Sequence, residues 1–372
     1  MTPKESEGAA ADPRRDLAKK RSIVVKIGSR TLATRPQLPA EVARDFATLN
    51  QPKRRRIVLV SSGAIALGIK KLGFGARPKE MAKLQAAAAA GQSMLMSAYD
   101  QAFAVEGLTV AQVLLTHADF ADRTRANNAR GALSALLDAG AIPILNENDS
   151  VSVEEIKFGD NDQLAAMVTP LVDAELLVLL SDVEGVRDQN GERLKVVTDV
   201  RDVLQFVQAS KSDVGTGGMA SKLEAARQAT LAGAHVVIAD AREPGIVGRI
   251  LAGEDVGTLF LPPARKLSAK KHWIAFTLRP RGALLLDGGA VRAITERGKS
   301  LLPMGVLGVR GVFQRGDAVV LYAADGREVG RARVRLGALE ALAAIGPQKA
   351  GKKGETDVEE IAHRDDMVLW PE

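Results

Sequence analysis

The chain has 372 residues, which at about 150 residues per domain predicts roughly two domains. Apolar residues make up 46% of the sequence and charged residues 26%, which allows folded cores and excludes wholesale disorder. There is no cysteine, so disulfides, thiolate nucleophiles and thiolate metal sites are excluded. The four histidines show no metal-ligand spacing such as HExxH, and we expect no histidine-rich zinc site.

The net charge of +6 is spread thinly, and residues 53–56 form the one tight basic run. We interpret that run as a solvated surface turn, because nucleic-acid binders usually concentrate their cations on one face. No apolar run reaches the ~18 residues of a membrane helix, and the amino-terminal residues mix acidic with basic side chains, unlike a signal peptide. We therefore expect a soluble, cytoplasmic protein.

Residues 1–20 lack apolar periodicity and predict a disordered tail. Apolar runs then alternate with Ala-rich amphipathic segments. The runs predict strands at 23–27, 57–60, 110–115, 142–145, 176–180 and 236–239, and the segments predict helices near 41–49, 64–71, 80–105, 122–139, 162–171 and 218–232. This alternation predicts an α/β fold, with a mainly parallel central sheet flanked by helices.

The sequence changes character after residue 278. Short apolar runs at 283–286 and 318–322 are separated by glycine turns, which predicts a small β-rich module. A helical run opens 338–354, which then becomes Gly- and Lys-rich and is predicted to be mobile, before a last strand near 367–369. We divide the chain into a tail (1–20), an α/β domain (21–265), a linker (266–278) and a second domain (279–372).

Small or polar residues follow most of the predicted strands, at 28–29, 61–63, 146–149, 181–182 and 240. Each cluster alone reads as a turn that ends a strand. In open α/β sheets, however, ligands bind outside the carboxyl ends of the strands. Five such clusters together favour a binding site at that edge.

The strongest local motif is GTGGMASK at residues 215–222, directly before a predicted helix. Glycines let the backbone approach an anion, and the helix N-terminus and Lys222 add positive charge, so the motif predicts phosphate binding. The spacing is not that of a Walker loop, and the sequence has no HRD motif of protein kinases.

A lysine at residue 26 interrupts the first apolar strand. A buried ammonium group needs a partner or a ligand, although a lysine at a strand end can also extend to solvent. Together with Lys222, Lys26 could hold a transferring phosphoryl group from two sides. Asn and Asp are dense at 146–149 and 156–162, which suits an ammonium ligand, a metal ion or the positioning of these lysines.

These motifs occur in one order, as KIGS at 26–29, SSGAI at 61–65, NEND at 146–149, GDND at 159–162 and GGMASK at 217–222. In that combination the chain resembles the glutamate 5-kinase family over essentially its whole length after the tail. Residues 279–369, with GKSLLP at 298–303 and HRDD at 363–366, resemble the PUA domain that many members carry. The resemblance implies an amino acid kinase fold and ATP-dependent phosphorylation of the γ-carboxylate of L-glutamate, the first step of proline biosynthesis.

The resemblance also implies roles for individual residues. Those roles are catalysis by Lys26, Lys222 and Asp162, with Asp160 as a less certain helper; glutamate binding by Ser62, Asp149 and Asn161; and ATP binding by Lys26, Ser181, Asp182, Thr216, Gly217, Gly218, Met219, Ala220, Ser221 and Lys222. ATP is then a co-substrate whose Mg²⁺ is held by phosphates and water, and no protein metal ligand is predicted. The family further implies a homo-oligomer inhibited by proline, channelling to glutamyl-phosphate reductase, and no membrane partner.

Three positions depart from the family pattern. Arg30 stands beside the first phosphate loop where members usually have a small residue, Ser181 replaces a common Thr, and 185–188 lacks an aromatic residue often found there.

Two alternatives remain. A kinase of the same fold could act on N-acetylglutamate or aspartate, although Asp149 favours a free ammonium group over an acetylated one. An RNA-binding or RNA-modifying protein is the other, because PUA-like modules elsewhere contact RNA; its binding would weaken steeply with salt.

Overall fold

The computed structural model describes residues 12–50, 55–151, 161–209, 218–345 and 360–370. These residues belong to two compact units, Met1–Lys266 and Leu267–Glu372. None of the described helices is both long enough and apolar enough to cross a membrane.

The first unit opens with a 3-10 helix at Pro13–Lys19 and then alternates strands with helices. In chain order these are β1 (Ser22–Ile27), α1 (Ser29–Thr34), α2 (Leu38–Asn50), β2 (Arg56–Ser61), α3 (Ala64–Lys71), α4 (Met81–Val105), β3 (Val110–Leu115), α5 (His117–Ala121), α6 (Arg123–Asp138), β4 (Ile142–Glu147), α7 (Asn161–Leu171), β5 (Leu176–Ser181), β6 (Val196–Val197), α8 (Val200–Ala209), α9 (Met219–Leu231), β7 (His235–Asp240), α10 (Ile246–Leu251) and β8 (Thr258–Phe260). Every strand and helix that we predicted between residues 22 and 240 is confirmed.

The strands of this unit form one sheet in the order β3-β4-β2-β1-β5-β7-β8-β6. Pairing is parallel throughout except between β7 and β8. The central strands β1 and β5 are buried almost throughout, because core clusters of apolar side chains cover both faces of the sheet. Continuous apolar runs are what such doubly covered strands require.

Residues 13–19 correct the predicted tail, whereas residues 1–11 lie outside the described part. Leu17 is fully buried, and the Arg14 guanidinium donates hydrogen bonds of 2.7–3.1 Å to four backbone carbonyls, at Lys195, Glu254, Val256 and Gly257. These acceptors lie far away in sequence, so local composition carried no sign of them. The basic run is also corrected at Arg55, which is half-buried and bonds three backbone carbonyls rather than solvent alone, while Lys53 lies outside the described residues.

The second unit contains α11 (Ala269–His272), a π-helical turn (Trp273–Thr277), β9 (Pro280–Leu286), α12 (Gly288–Thr295), β10 (Val306–Gly311), β11 (Ala318–Ala323), β12 (Glu328–Arg333), α13 (Ala338–Ile345) and β13 (Met367–Leu369), with short 3-10 turns at Pro303–Gly305 and Arg364–Asp366. Its sheet has the order β10-β9-β11-β12-β13. The predicted β-rich module and its last strand are confirmed.

The predicted linker at 266–278 is instead largely ordered structure of the second unit. Ile274 and Ala275 are fully buried, and Arg331 donates a 2.6 Å hydrogen bond to the Ala275 carbonyl. This stretch is held by residues that come later in the chain, and the sequence of the stretch alone does not show those contacts. The helical run that we predicted at the start of 338–354 is confirmed as α13, and the Gly- and Lys-rich remainder lies outside the described residues.

Helices α3 and α4 pack unusually closely through glycines. A β-carbon added to Gly68 would lie 1.7 Å from the Ala87 carbonyl oxygen, and one added to Gly91 would lie 1.7 Å from that of Ala64. Only glycine allows two helix backbones to approach this closely. The contact fixes the position of α4 against the turn that follows β2.

We expect Gly91→Ala to destabilise the protein by about 1–3 kcal/mol or more, because the added methyl group must push α3 and α4 apart. Gly131→Ala is the matched control, since Gly131 is exposed in α6 and an added β-carbon meets no atom within 4 Å. It should be neutral or stabilising by up to about 1 kcal/mol. Urea midpoints followed by circular dichroism measure both, and an unchanged midpoint for Gly91→Ala would contradict the close packing.

Candidate active site

The predicted polar clusters gather at one edge of the large sheet. The strands that precede them are neighbours, in the order β4-β2-β1-β5-β7, and run parallel. Their carboxyl ends therefore open on the same side, where α/β proteins bind ligands.

A buried carboxylate between two buried lysines forms the centre of this edge. Lys26 Nζ lies 2.5 Å from Asp162 Oδ1, and Lys222 Nζ donates a 3.1 Å hydrogen bond to Asp162 Oδ2. Lys26 is 6% exposed, Asp162 1% and Lys222 6%. The three residues come from β1, from the first turn of α7 and from the first turn of α9. The structure therefore unites the three residues for which a catalytic role was predicted.

The electrostatics of this cluster keep its central carboxylate ionised. Burial alone would raise the pKa of Asp162, but the Lys26 and Lys222 charges outweigh that effect and hold it below its usual range. The carboxylate therefore stays ionised and shares one negative charge between two ammonium groups. Two buried lysines at one point of the site favour an anionic ligand.

Asn161, the residue before Asp162, ties a second group of polar residues together. Its side-chain Nδ2 lies 2.9 Å from the Ser61 carbonyl, 2.6 Å from Ser62 Oγ and 2.9 Å from Asn146 Oδ1. Its Oδ1 is buried and has no hydrogen-bond partner among the described residues. Ser62 and Asn161, both predicted to bind substrate, are thus in direct contact.

The turn that presents Ser62 depends on Gly63. This glycine has φ = 106°, in the left-handed region that disfavours side chains, and it precedes α3 directly. Ser61, the residue before Ser62, shares a 2.9 Å hydrogen bond with the buried hydroxyl of Tyr99 on α4.

Sequence analysis missed Gln92 of α4. Asn146 donates a 2.7 Å hydrogen bond to Gln92 Oε1, which connects α4 to the Asn161 group. A glutamine directly after the apolar run 86–91 was a usable signal, because a polar side chain beside a buried helix face needs a partner.

Asp149 follows β4 and is also buried. Burial and the negative charge of nearby Glu147 raise its pKa to about 7, and the Arg77 guanidinium partly offsets them. Arg77 was not singled out from the sequence, and it is itself partly desolvated, which lowers its pKa. A carboxyl group with a pKa near 7 is only partly ionised at neutral pH, and a cationic ligand would favour its ionised form.

Ser181 and Asp182 follow β5, beside β1. Ser181 Oγ donates to Asp182 Oδ1 at 3.1 Å, and Arg242 donates to the Asp182 carbonyl at 3.2 Å. Arg30, one of the departures from the family pattern, reaches this pair: its Nη1 lies 2.7 Å from Asp182 Oδ2.

The predicted phosphate motif is described from residue 218 onward. Gly218 is the N-cap of α9, and Met219, Ala220, Ser221 and Lys222 form its first turn. A glycine cap supplies no side chain to the first backbone N–H groups, which leaves them suited to an anion. Thr216, Gly217 and Asp160 lie outside the described residues.

The described residues contain no group of three or more His, Asp or Glu that could hold a metal ion. The one carboxylate at the centre of the site, Asp162, has both oxygens beside lysines. Lysine contacts thus occupy both Asp162 oxygens, which leaves this carboxylate poorly suited to hold a cation.

Comparison with a solved structure agrees with the fold. Carbamate kinase from Giardia lamblia, determined bound to AMP-PNP, superposes with a TM-score of 0.50 at 15% identity, and the match covers 66% of this chain and 100% of that one. At this identity the similarity concerns the fold alone.

Sequence comparisons extend over both units. Residues 21–240 match the amino acid kinase family and residues 282–350 match the PUA domain. Proteins named glutamate 5-kinase are 42% identical in Syntrophotalea carbinolica, 43% in Geobacter metallireducens and 44% in Myxococcus xanthus, with 95% of this chain and 97–98% of each relative covered. The chain belongs to the amino acid kinase family and, within it, to the group that carries a PUA domain and bears the name glutamate 5-kinase.

Proposed function

We propose that this protein transfers the γ-phosphoryl group of ATP to the γ-carboxylate of L-glutamate, giving L-glutamyl 5-phosphate and ADP. The observation that carries the proposal is the pair of buried lysines held on Asp162. The relatives' shared name supports the same reaction.

The reaction needs charge neutralisation more than it needs proton transfer. A carboxylate with an ordinary pKa near 4.3 is already ionised at neutral pH and requires no general base. It must approach a polyanionic nucleotide, and the transferring group spreads negative charge over its oxygens. Lys26 and Lys222 would stabilise that charge, while Asp162 positions both ammonium groups before the substrates arrive.

The second polar group supports a binding role for glutamate. Asp149 suits the α-ammonium group, as does the buried and unpartnered Oδ1 of Asn161. Ser62 Oγ lies within hydrogen-bond distance of Asn161 Nδ2, which leaves its hydroxyl hydrogen available to a substrate carboxylate.

ATP is the phosphoryl donor, and Ser181, Asp182 and the first turn of α9 are its proposed binding elements. The ion that accompanies ATP, Mg²⁺, would neutralise phosphate charge while held by phosphate oxygens and water. Proline inhibition, a homo-oligomer, RNA binding by the PUA domain and channelling to glutamyl-phosphate reductase remain predictions from the family resemblance.

The direct test incubates the purified full chain with ATP, Mg²⁺ and L-glutamate, and traps the acyl phosphate with hydroxylamine. Parallel reactions contain N-acetylglutamate or aspartate. We expect hydroxamate from glutamate alone. A product from N-acetylglutamate would overturn the role of Asp149, and ATP binding without any hydroxamate would overturn the substrate assignment.

We expect Lys222→Ala to lower kcat by about 10²-fold or more, because it removes a preorganised charge that faces the transferring group. The Lys26–Asp162 pair remains, so the variant should still fold. Lys83→Ala is the control, since Lys83 also pairs with a carboxylate, at 2.8 Å, but is exposed on α4. Steady-state kinetics decide the matter: a near-normal rate for Lys222→Ala would remove that residue from catalysis.

The raised pKa of Asp149 predicts a pH dependence of glutamate binding. Only the ionised carboxylate can pair with the α-ammonium, and with a pKa of about 7 its ionised fraction rises about tenfold from pH ~6 to pH ~8. The glutamate KM, measured at saturating ATP, should fall by a similar factor over that range.

Asp149→Asn provides the control for this profile. It removes the titrating group, so the glutamate KM should be high and nearly independent of pH while the ATP KM changes little. A wild-type profile that is flat, or an unchanged dependence in the variant, would show that another group controls binding.

A further inference from the structure

Arg30 occupies an unusual place for a surface arginine. It is the second residue of α1, in the turn that follows β1, and its guanidinium reaches Asp182 at the end of the neighbouring strand β5. The same turn passes Lys26, because a β-carbon on Gly28 would lie 3.8 Å from Lys26 Nζ. Arg30 therefore lies across the carboxyl edge of the sheet, between the buried lysines and a proposed ATP-binding residue.

The Arg30–Asp182 ion pair lies at the surface, where another anion can replace Asp182 as the partner of Arg30. The side chain of Arg30 is 75% exposed and that of Asp182 is 42% exposed. Solvent-exposed ion pairs contribute only about 0–1 kcal/mol, since water competes for both partners. A ligand that offers a stronger acceptor than a solvated carboxylate can displace Asp182 at little cost.

Three other cationic side chains at this edge already pair with buried carboxylates. Lys26 and Lys222 both pair with Asp162. Arg242 donates to both carboxylate oxygens of Asp240, to Oδ1 at 2.9 Å and to Oδ2 at 2.6 Å. A nucleoside triphosphate carries more negative charge than two lysines can neutralise, and a guanidinium binds phosphate oxygens through two parallel donors.

We propose that Arg30 is a nucleotide-phosphate residue that Asp182 holds in the free protein and that transfers to the phosphate chain when the nucleotide binds. This inference rests on the proposed function only for the identity of the donor nucleotide. Asp182 keeps the guanidinium oriented at the edge before binding, and it is left with its contacts to Ser181 and Arg242 afterwards. The exchange makes no covalent bond and consumes nothing.

The test measures dissociation constants for ATP, ADP and AMP by calorimetry, with the full chain in Mg²⁺ buffer and without glutamate. Arg30→Ala should raise the constant for ATP about tenfold, the size of one lost charge-assisted hydrogen bond, that for ADP less, and that for AMP hardly at all. Arg30→Lys should fall between the wild type and Arg30→Ala, because it keeps the charge but loses the paired donors. Arg130→Ala is the control, since Arg130 on α6 forms an exposed ion pair with Asp173. This variant should bind all three nucleotides normally.

A second arm separates phosphate binding from simple neutralisation of Asp182. If Arg30 only cancels the charge of Asp182, then Arg30→Ala has no effect in an Asp182→Asn background; if it binds phosphate, the loss persists there. Equal effects on ATP and AMP, no effect on any nucleotide, or loss of the effect in the Asp182→Asn background would each overturn the proposal.

Kinetics provide an independent readout. Arg30→Ala should raise the ATP KM and leave kcat and the glutamate KM nearly unchanged, because the residue binds the donor without touching the acceptor. Nucleotide binding by a wild-type protein that forms no glutamyl hydroxamate would overturn the substrate assignment while leaving the Arg30 test intact, so the two failures are distinguishable.

Discussion

The site depends on one carboxylate that pairs with two buried lysines. Without Asp162, Lys26 and Lys222 would lose the carboxylate that both of them bind in the interior, a loss that costs several kcal/mol. That requirement draws three elements to one point, namely the middle strand β1 and the first turns of α7 and α9. The residue beside it, Asn161, carries the hydrogen bonds to β2 and β4, so the beginning of α7 fixes both halves of the site at once.

Helix packing away from the charged centre maintains the same geometry. The close contact of α3 and α4 at Gly68 and Gly91 sets the position of Gln92, the next residue along α4. Gln92 accepts from Asn146, and Asn146 accepts from Asn161. Asn161 Nδ2 is in turn held against Ser62, which leaves that amide little freedom to rotate. Substrate positioning thus depends on backbone packing several residues removed from any group that would touch glutamate.

The sequence revealed the features whose cause is local. The strands were predictable because both faces of the sheet are covered and each strand is a continuous apolar run, and Lys26 was conspicuous because it interrupts one of them. What sequence reasoning missed depends on distant partners. Arg14 is satisfied by carbonyls more than 180 residues away, and the effect of Arg77 on Asp149 likewise joins segments far apart in the chain. The short strands β6 and β8 were not predicted because a run of two or three residues is too short to show a hydrophobic periodicity.

The ion pairs of Asp162 and of Asp182 differ mainly in their burial, and burial determines how easily each pair can separate. Asp162 binds its lysines in the interior, where separating the charges is expensive, and the proposed reaction would therefore leave these contacts in place. Asp182 binds Arg30 in water, where separation costs little, so the same kind of contact can open when an anion arrives. A kinase needs both properties, because the groups around the transferring phosphoryl must not move while those that admit and release the nucleotide must. In this chain, the buried pairs of Asp162 suit the first requirement and the exposed Arg30–Asp182 pair suits the second.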